Sequence, residues 1–456
     1  MNKATRTAVA LVALGCALAG RSAAQNLGMV ADYGAQSVTV FDADSVTVLG
    51  TIPLPVSSAV VGDCSISPDK TVGFVTDFLG QVWVIDLTVS PPALASGPNP
   101  IPIANPGEDM VLSPDGKFLL VCDGSLPKPI SVIDTATRAQ VHTFDLSTGC
   151  NSIDVCEDGS VLVTSWNART VHRLTLDATG NLADTGETLF LGFSGDGPNN
   201  VYCAPGGRTG IVVIRSPQEI RSFTIPGLHE VDIRPLSGIG LSGISGVFSP
   251  DGERFYARGS GGFVDTFLYD PATGALGAAP VLTLPAASPP TAFGIDQLAL
   301  SLDGSLLYVP DFRVLRVYKA ATGAKLDTLT SPAFRDLTGV CLSPTLPVIE
   351  VAIEITPESI NPRSRGVIKV VILSDSSFDA SEIDPETVRF GAGGAPAERF
   401  SLEDVDSDGD LDLVLKIRTE QTGIRCKDSS VSLEGETFDG RRIAGQEPIR
   451  TVGCPR

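Results

Sequence analysis

The chain has 456 residues, a net charge of −20, 43% hydrophobic and 19% charged residues. This balance allows a buried core and excludes a chain disordered by composition. So large an acidic excess also excludes a nucleic-acid partner, since phosphate binding needs clustered Lys and Arg.

The chain opens with a signal peptide, residues 1–24. Lys3 and Arg6 form its charged start, an apolar run extends from Ala8 to Ala19, and Ser22-Ala23-Ala24 is an A-x-A-like cleavage site. The run is too short to span a bilayer well, and no other segment reads as transmembrane. Secretion is therefore expected. Cys16 offers an alternative, a lipid anchor that would keep the protein in the periplasm or on the outer membrane.

From residue 25 a repeat runs to residue 347. Each unit begins with a short apolar strand that ends in a turn like Ser-Pro-Asp-Gly: CSISPDK, MVLSPDG, IDVCEDG, VYCAPGG, GVFSPDG, LALSLDG and GVCLSPT. The turns recur every 46 residues or so on average, about the period of a four-stranded propeller blade. The second unit shows the four strands as MVLS, FLLVCD, PISVIDTAT and AQVHTFDL, punctuated by Asp-Gly and similar pairs. The N-terminus supplies three strands, MVADYG, SVTVFD and TVLGTI, with no turn-bearing strand before them. The last turn-bearing strand, LTGVCLSP, has no unit after it. Together they make one composite unit, which would remove the open edges of the ring. The fold class is therefore all-β: a seven-bladed β-propeller closed by N- and C-terminal strands, followed by a small β-sandwich-like domain.

VADYGAQSVTVFDADS, GFVTDFLGQVWVIDLT and the SPDG turns resemble the YVTN type of propeller repeat, a group that includes lactonase-like propellers. The resemblance covers about residues 27 to 346. It implies that each turn-bearing strand is innermost and lines a central channel. The residues near the start of these strands are then Asp63, Asp109, Ser152, Asn200, Ser245, Gln297 and Gly339, with Asn151, Asn199 and Asp296 beside them. Asp63, Asp109, Asn151, Asn200, Asp296 and Gln297 are the candidate ligand-binding rim. The alternative is a channel whose polar walls only satisfy backbone and water.

The three histidines, His142, His172 and His229, fall in or near outer-strand patterns, where packed or outward side chains are expected rather than ligands. There is no Gly-x-Ser-x-Gly elbow, no HExxH and no CxxC pair. Cys64, Cys122, Cys150, Cys156, Cys203 and Cys341 lie in the repeat region, and buried free thiols are the expectation for several of them. Cys426 and Cys454 stand alone in the C-terminal region and are expected to form a disulfide.

Residues 348–456 alternate apolar and polar again, as in VIEVAIEI, GVIKVVIL, LDLVLKIR and SVSLEGET. This segment resembles a secreted bacterial β domain found at the C-terminal ends of extracellular proteins. Within it, DVDSDGDLD matches D-x-D-x-D-G-x-x-D and is similar to the loops of EF-hand-like and integrin-type calcium repeats. Asp404, Asp406 and Asp408 would converge as the loop curls, Gly409 permits the turn, and the Asp410 carbonyl and Asp412 carboxylate would complete an oxygen shell for structural Ca2+. A strand follows where an EF-hand has a helix, and Leu415 stands where its closing Glu would be.

Two functions fit these residues. The first is a non-catalytic secreted binding or surface protein, a monomer whose propeller is a disc for a protein or glycan partner. The alternative is a lactonase-like hydrolase acting at the channel.

Overall fold

The structure, a computed structural model, describes residues 26–55, 61–104, 107, 109–122, 129–192, 197–238, 245–259, 262–285, 297–343, 349–357, 359–375, 378–438 and 442–454. The expected signal peptide with Cys16, the candidate rim residue Asp296 and the expected boundary at residues 347 and 348 lie outside them. Among the described residues the protein is all-β, and helix is confined to two single-turn 3-10 segments, Ala380–Glu382 and Thr419–Gln421. No helix among them is long and apolar enough to cross a membrane.

Residues 27–342 form antiparallel sheets in chain order, each built around four strands. The third sheet is representative: Asp109–Leu112, Phe118–Cys122, Ile130–Asp134 and Ala139–Phe144 lie side by side. The turn between its first two strands explains the SPDG repeat. The Asp115 carboxylate accepts the Ser113 hydroxyl at 2.7 Å and the Lys117 N–H at 3.0 Å, while the Ser113 hydroxyl accepts the Phe118 N–H at 2.9 Å. Gly116 has φ 71°, a conformation other residues adopt at a cost. The same contacts recur around Asp251 and Asp303, with Gly252 and Gly304 in the same conformation.

The second strand of this sheet is buried on both faces, which is why it reads as a continuous apolar run. Leu119 and Val121 join a core with Phe74, Val82 and Val84 of the second sheet. Leu120 and Cys122 join another with Ile153, Val161 and Val163 of the fourth. Each sheet thus packs on both neighbours, and each fully buried Leu or Val contributes on the order of 1.5–3 kcal/mol.

The first sheet draws on both ends of the region. Leu337–Leu342 pairs antiparallel with Leu27–Asp32, placing Cys341 opposite Met29, and Ser37–Asp42 and Thr47–Pro53 follow. Three disulfides join neighbouring sheets: Cys64–Cys341 and Cys156–Cys203 link inner strands or their flanks, and Cys122–Cys150 ties the second strand of the third sheet to the segment before the inner strand of the fourth. The expectation of free buried thiols is corrected here. All six cysteines of the repeat region are paired, because the packing of adjacent sheets brings cysteines of neighbouring units within bonding distance.

Residues 349–451 form two further four-stranded sheets. One orders Ile349–Glu350, Arg442–Pro448, Ser430–Thr437 and Ile383–Phe390. The other orders Ile353–Thr356, Val367–Ile372, Asp412–Arg418 and Ala397–Glu403. Both contribute to one core, with Leu433 and Ile443 from the first and Val370 and Leu415 from the second. The expected Cys426–Cys454 disulfide is present.

Candidate functional site

Each inner strand is the edge of its own sheet, so some of its N–H groups have no strand to pair with. Polar side chains of the preceding inner strand accept them. Asp63 Oδ2 accepts the Met110 N–H at 3.2 Å, and Asp109 Oδ2 accepts the Ile153 N–H at 2.9 Å. Ser152 Oγ accepts the Val201 N–H at 3.3 Å, Asp154 Oδ2 the Cys203 N–H at 2.7 Å, and the Tyr202 hydroxyl the Gly246 N–H at 2.8 Å. These bonds run from sheet to sheet.

The candidate rim residues are therefore engaged. Gln297, 188 residues beyond Asp109, reaches it by donating Nε2 to Asp109 Oδ1 at 3.2 Å. Asn151 donates to the Asn199 carbonyl at 2.9 Å, and the Asn199 amide donates to Asn200 Oδ1 at 2.6 Å. Asp63 and Asp109 are both buried. Burial raises the carboxyl of each above its ordinary value, and the Asp109 charge raises Asp63 further. Two carboxyls so close cannot both ionise cheaply.

Beyond this level the inner strands line an open cavity of about 480 Å3, bounded by Asp154, Tyr202, Ser249, Gln297, Val340 and Ser343 among others. Asp154 and Glu157 are its acidic lining residues, and no Lys, Arg or His lines it among the described residues. Asp154 is half-buried. Desolvation pushes its carboxyl up to about 7, against the pull of the Cys203 and Val155 N–H groups. Tyr202 is raised too, chiefly by burial. Asp154 and Tyr202 were not among the rim candidates. They sit two residues beyond Ser152 and Asn200 on the same strands, and the period of two places them on the same face.

The histidines stand away from these groups. His172, buried, lies within reach of the hydroxyls of Thr148, Thr170 and Thr188, and burial lowers its pKa. His142 lies on the outer strand Ala139–Phe144.

In the C-terminal region the acidic loop curls as its pattern requires, with Gly409 at φ 103° and Ser407 at φ 65°. Carboxylate oxygens of Asp404, Asp406 and Asp412 all lie within 4.8 Å of one another. Asp408 and Asp410 stand outside that trio, and Asp408 Oδ1 accepts the Asp410 N–H at 2.9 Å. Asp412 is buried at the start of its strand, where Oδ1 accepts the Ser374 N–H at 3.0 Å and Oδ2 the Val405 N–H at 2.8 Å. An all-oxygen donor set of three carboxylates suits a hard cation such as Ca2+.

No family model matches the chain, and no curated protein does. Solved structures do. A functionally unknown protein from Desulfotomaculum acetoxidans is 22% identical with a TM-score of 0.60, over 70% of this chain and 98% of that one. A candidate 6-phosphogluconolactonase from Bacteroides fragilis is 13% identical with a TM-score of 0.56, over 70% and 98%. A second, from Bacteroides uniformis, is 15% identical with a TM-score of 0.56, over 70% and 99%. At these identities the likeness concerns the fold alone.

Proposed function

We propose that the mature protein is a lactonase-like hydrolase built on a seven-bladed, YVTN-type propeller that its N- and C-terminal strands close. The single observation that carries the activity is Asp154. It is a carboxyl pushed up to about 7 on the wall of a cavity of about 480 Å3. A general base works best when its pKa lies near the operating pH. The Asp154 carboxylate takes a proton from water as the water oxygen bonds to the lactone carbonyl carbon. The ring C–O bond then breaks, and the proton passes from Asp154 to the departing alkoxide oxygen, which becomes the hydroxyl of the hydroxy acid. An acidic lining without Lys, Arg or His favours an uncharged lactone over a phosphorylated one.

The test measures ring opening of glucono-lactone and 6-phosphoglucono-lactone. The uncharged substrate should react faster, and Asp154→Asn should slow it at least about 100-fold while the fold is kept. Ring opening no faster than in buffer would leave the second reading, a non-catalytic secreted disc for a protein or glycan partner. One observation favours that reading: Asp63, Asp109 and Asp154 all accept N–H groups of the next inner strand, so they already have structural roles.

The rest of the chain is assigned as follows. Residues 1–24 direct export, residues 25–347 are the propeller, and residues 348–456 are a β-sandwich-like domain. Four disulfides support an extracellular destination. Asp404, Asp406 and Asp412 would hold a structural Ca2+, with Asp408 and Asp410 beside it. The ion would supply the positive charge that the converging carboxylates lack. The protein acts as a monomer and binds no nucleic acid.

A further inference from the structure

The largest fully buried side chain among the described residues is a cation. Arg258 is 1% exposed, on the strand Arg254–Gly259 of the sixth sheet. Its Nε and Nη1 are buried and have no hydrogen-bond partner among the described residues. Removing a guanidinium from water without an anion or acceptors is among the costliest arrangements a folded chain can hold. Arg316 Nε donates to Asp311 Oδ2 at 2.6 Å, so that carboxylate is already engaged.

The period of two places Arg258. Tyr256, two residues before it, packs in a core with Leu307, Val309 and Tyr318 of the seventh sheet. Arg258 points to the same side, into the interface between the sixth and seventh sheets, and its charge bears on the Tyr318 hydroxyl. Thr266 lies opposite Tyr256 and Val264 lies opposite Arg258, so Thr266 is a diagonal neighbour of Arg258 on that face. The Thr266 hydroxyl is also buried without a partner. Two guanidinium N–H groups, at Nε and Nη1, and a hydroxyl, none with a partner among the described residues, therefore share one face, and all can donate.

We infer that Arg258 and Thr266 form a buried oxyanion site between the sixth and seventh sheets, taking a carboxylate or phosphate group. The planar fork matches two oxygens of either anion, and the hydroxyl donates to a third contact. The site is separate from the cavity at Asp154 and does not rest on the hydrolase reading.

The experiment is thermal unfolding of the full mature chain with its disulfides intact. Sodium acetate and sodium phosphate are titrated separately at constant ionic strength made up with sodium chloride. A saturable rise in Tm of about 2 °C or more is expected in at least one oxyanion. Whichever of the two acts identifies the ligand as carboxylate or phosphate. Thr266→Val keeps the shape and the charge, and should shift half-saturation to roughly tenfold higher anion. Arg258→Met should abolish the rise. Arg258→Lys, which keeps the charge without the fork, should weaken it and serves if the Met variant does not fold. No saturable rise in either oxyanion, or a rise unchanged in both Thr266→Val and Arg258→Lys, would overturn the inference.

Discussion

The two parts of the molecule handle acidic side chains in opposite ways. In residues 27–342, Asp63 and Asp109 are buried and act as acceptors for N–H groups at sheet edges. In residues 349–451, Asp404, Asp406, Asp408 and Asp410 are exposed, and only Asp412 is buried. A buried carboxyl surrounded by N–H donors can be neutral or paired where it stands. A cluster of exposed carboxylates within one short loop repels itself, and a bound cation would relieve that repulsion. The same residue type is thus held by backbone donors in the first region and by solvent in the second.

Disulfides give the largest way to sharpen this contrast. Cys64–Cys341 closes a separation of 277 residues, and Cys426–Cys454 one of 28. Removing the first pair as a Cys64→Ala, Cys341→Ala variant should cost about 2–4 kcal/mol, and more than the matching Cys426→Ala, Cys454→Ala variant. Calorimetric unfolding compares the two. An equal loss would show that loop length does not set what these bridges contribute.

The next effect concerns the buried acceptors. Asp109→Ala would leave the Ile153 N–H and the Gln297 amide without their acceptor, at a cost of about 1–3 kcal/mol. Asp109→Asn keeps an acceptor oxygen and removes a charge that crowds Asp63, so it should be milder at pH 7. Denaturant unfolding of both variants checks the order. Asn proving as costly as Ala would mean that the negative charge itself is required there.

The loop predictions separate its two kinds of aspartate. Asp406→Ala should remove the rise in melting temperature that calcium produces and change little in EDTA. Asp412→Ala should destabilise under both conditions, because its oxygens also accept the Ser374 and Val405 N–H groups. Titration calorimetry on the unaltered protein should find one calcium site of roughly 10⁻⁴ to 10⁻³ M. Equal losses for Asp406→Ala with and without calcium would remove the cation from the account.

The smallest effect is on pH. Burial keeps the Asp63, Asp109 and Asp154 carboxyls protonated to higher pH than in the unfolded chain, where Asp titrates near 4, a rough reference value. The folded state then binds more protons, so this contribution is complete below about pH 4 and is lost as pH rises through the folded values. For Asp154 that loss ends at about 7. The difference in melting temperature between the unaltered protein and Asp154→Asn, followed from pH 4 to 8, should therefore shrink or change sign toward neutral pH. A difference independent of pH would mean that the Asp154 carboxyl is not raised.

The sequence by itself determined the local units. Ser113, Asp115 and Gly116 specify their turn through contacts within a few residues, so the repeat was legible wherever that pattern recurred. The curl of residues 404–412 was legible for the same reason, and so was the Cys426–Cys454 pair, which had no competitors. What joins one unit to the next was decided only in three dimensions. Asp154 and Tyr202 find their partners 44 to 49 residues away, and Cys64 finds Cys341 only because the first sheet is completed from the other end of the region. The convergence of Asp412 with Asp404 and Asp406, without Asp408, likewise depends on a strand start anchored by Ser374. Short-range hydrogen bonds are written in residue spacing. Burial and long-range pairing, which set the Asp154 proton affinity and leave Arg258 without a partner, come from the packing of whole sheets.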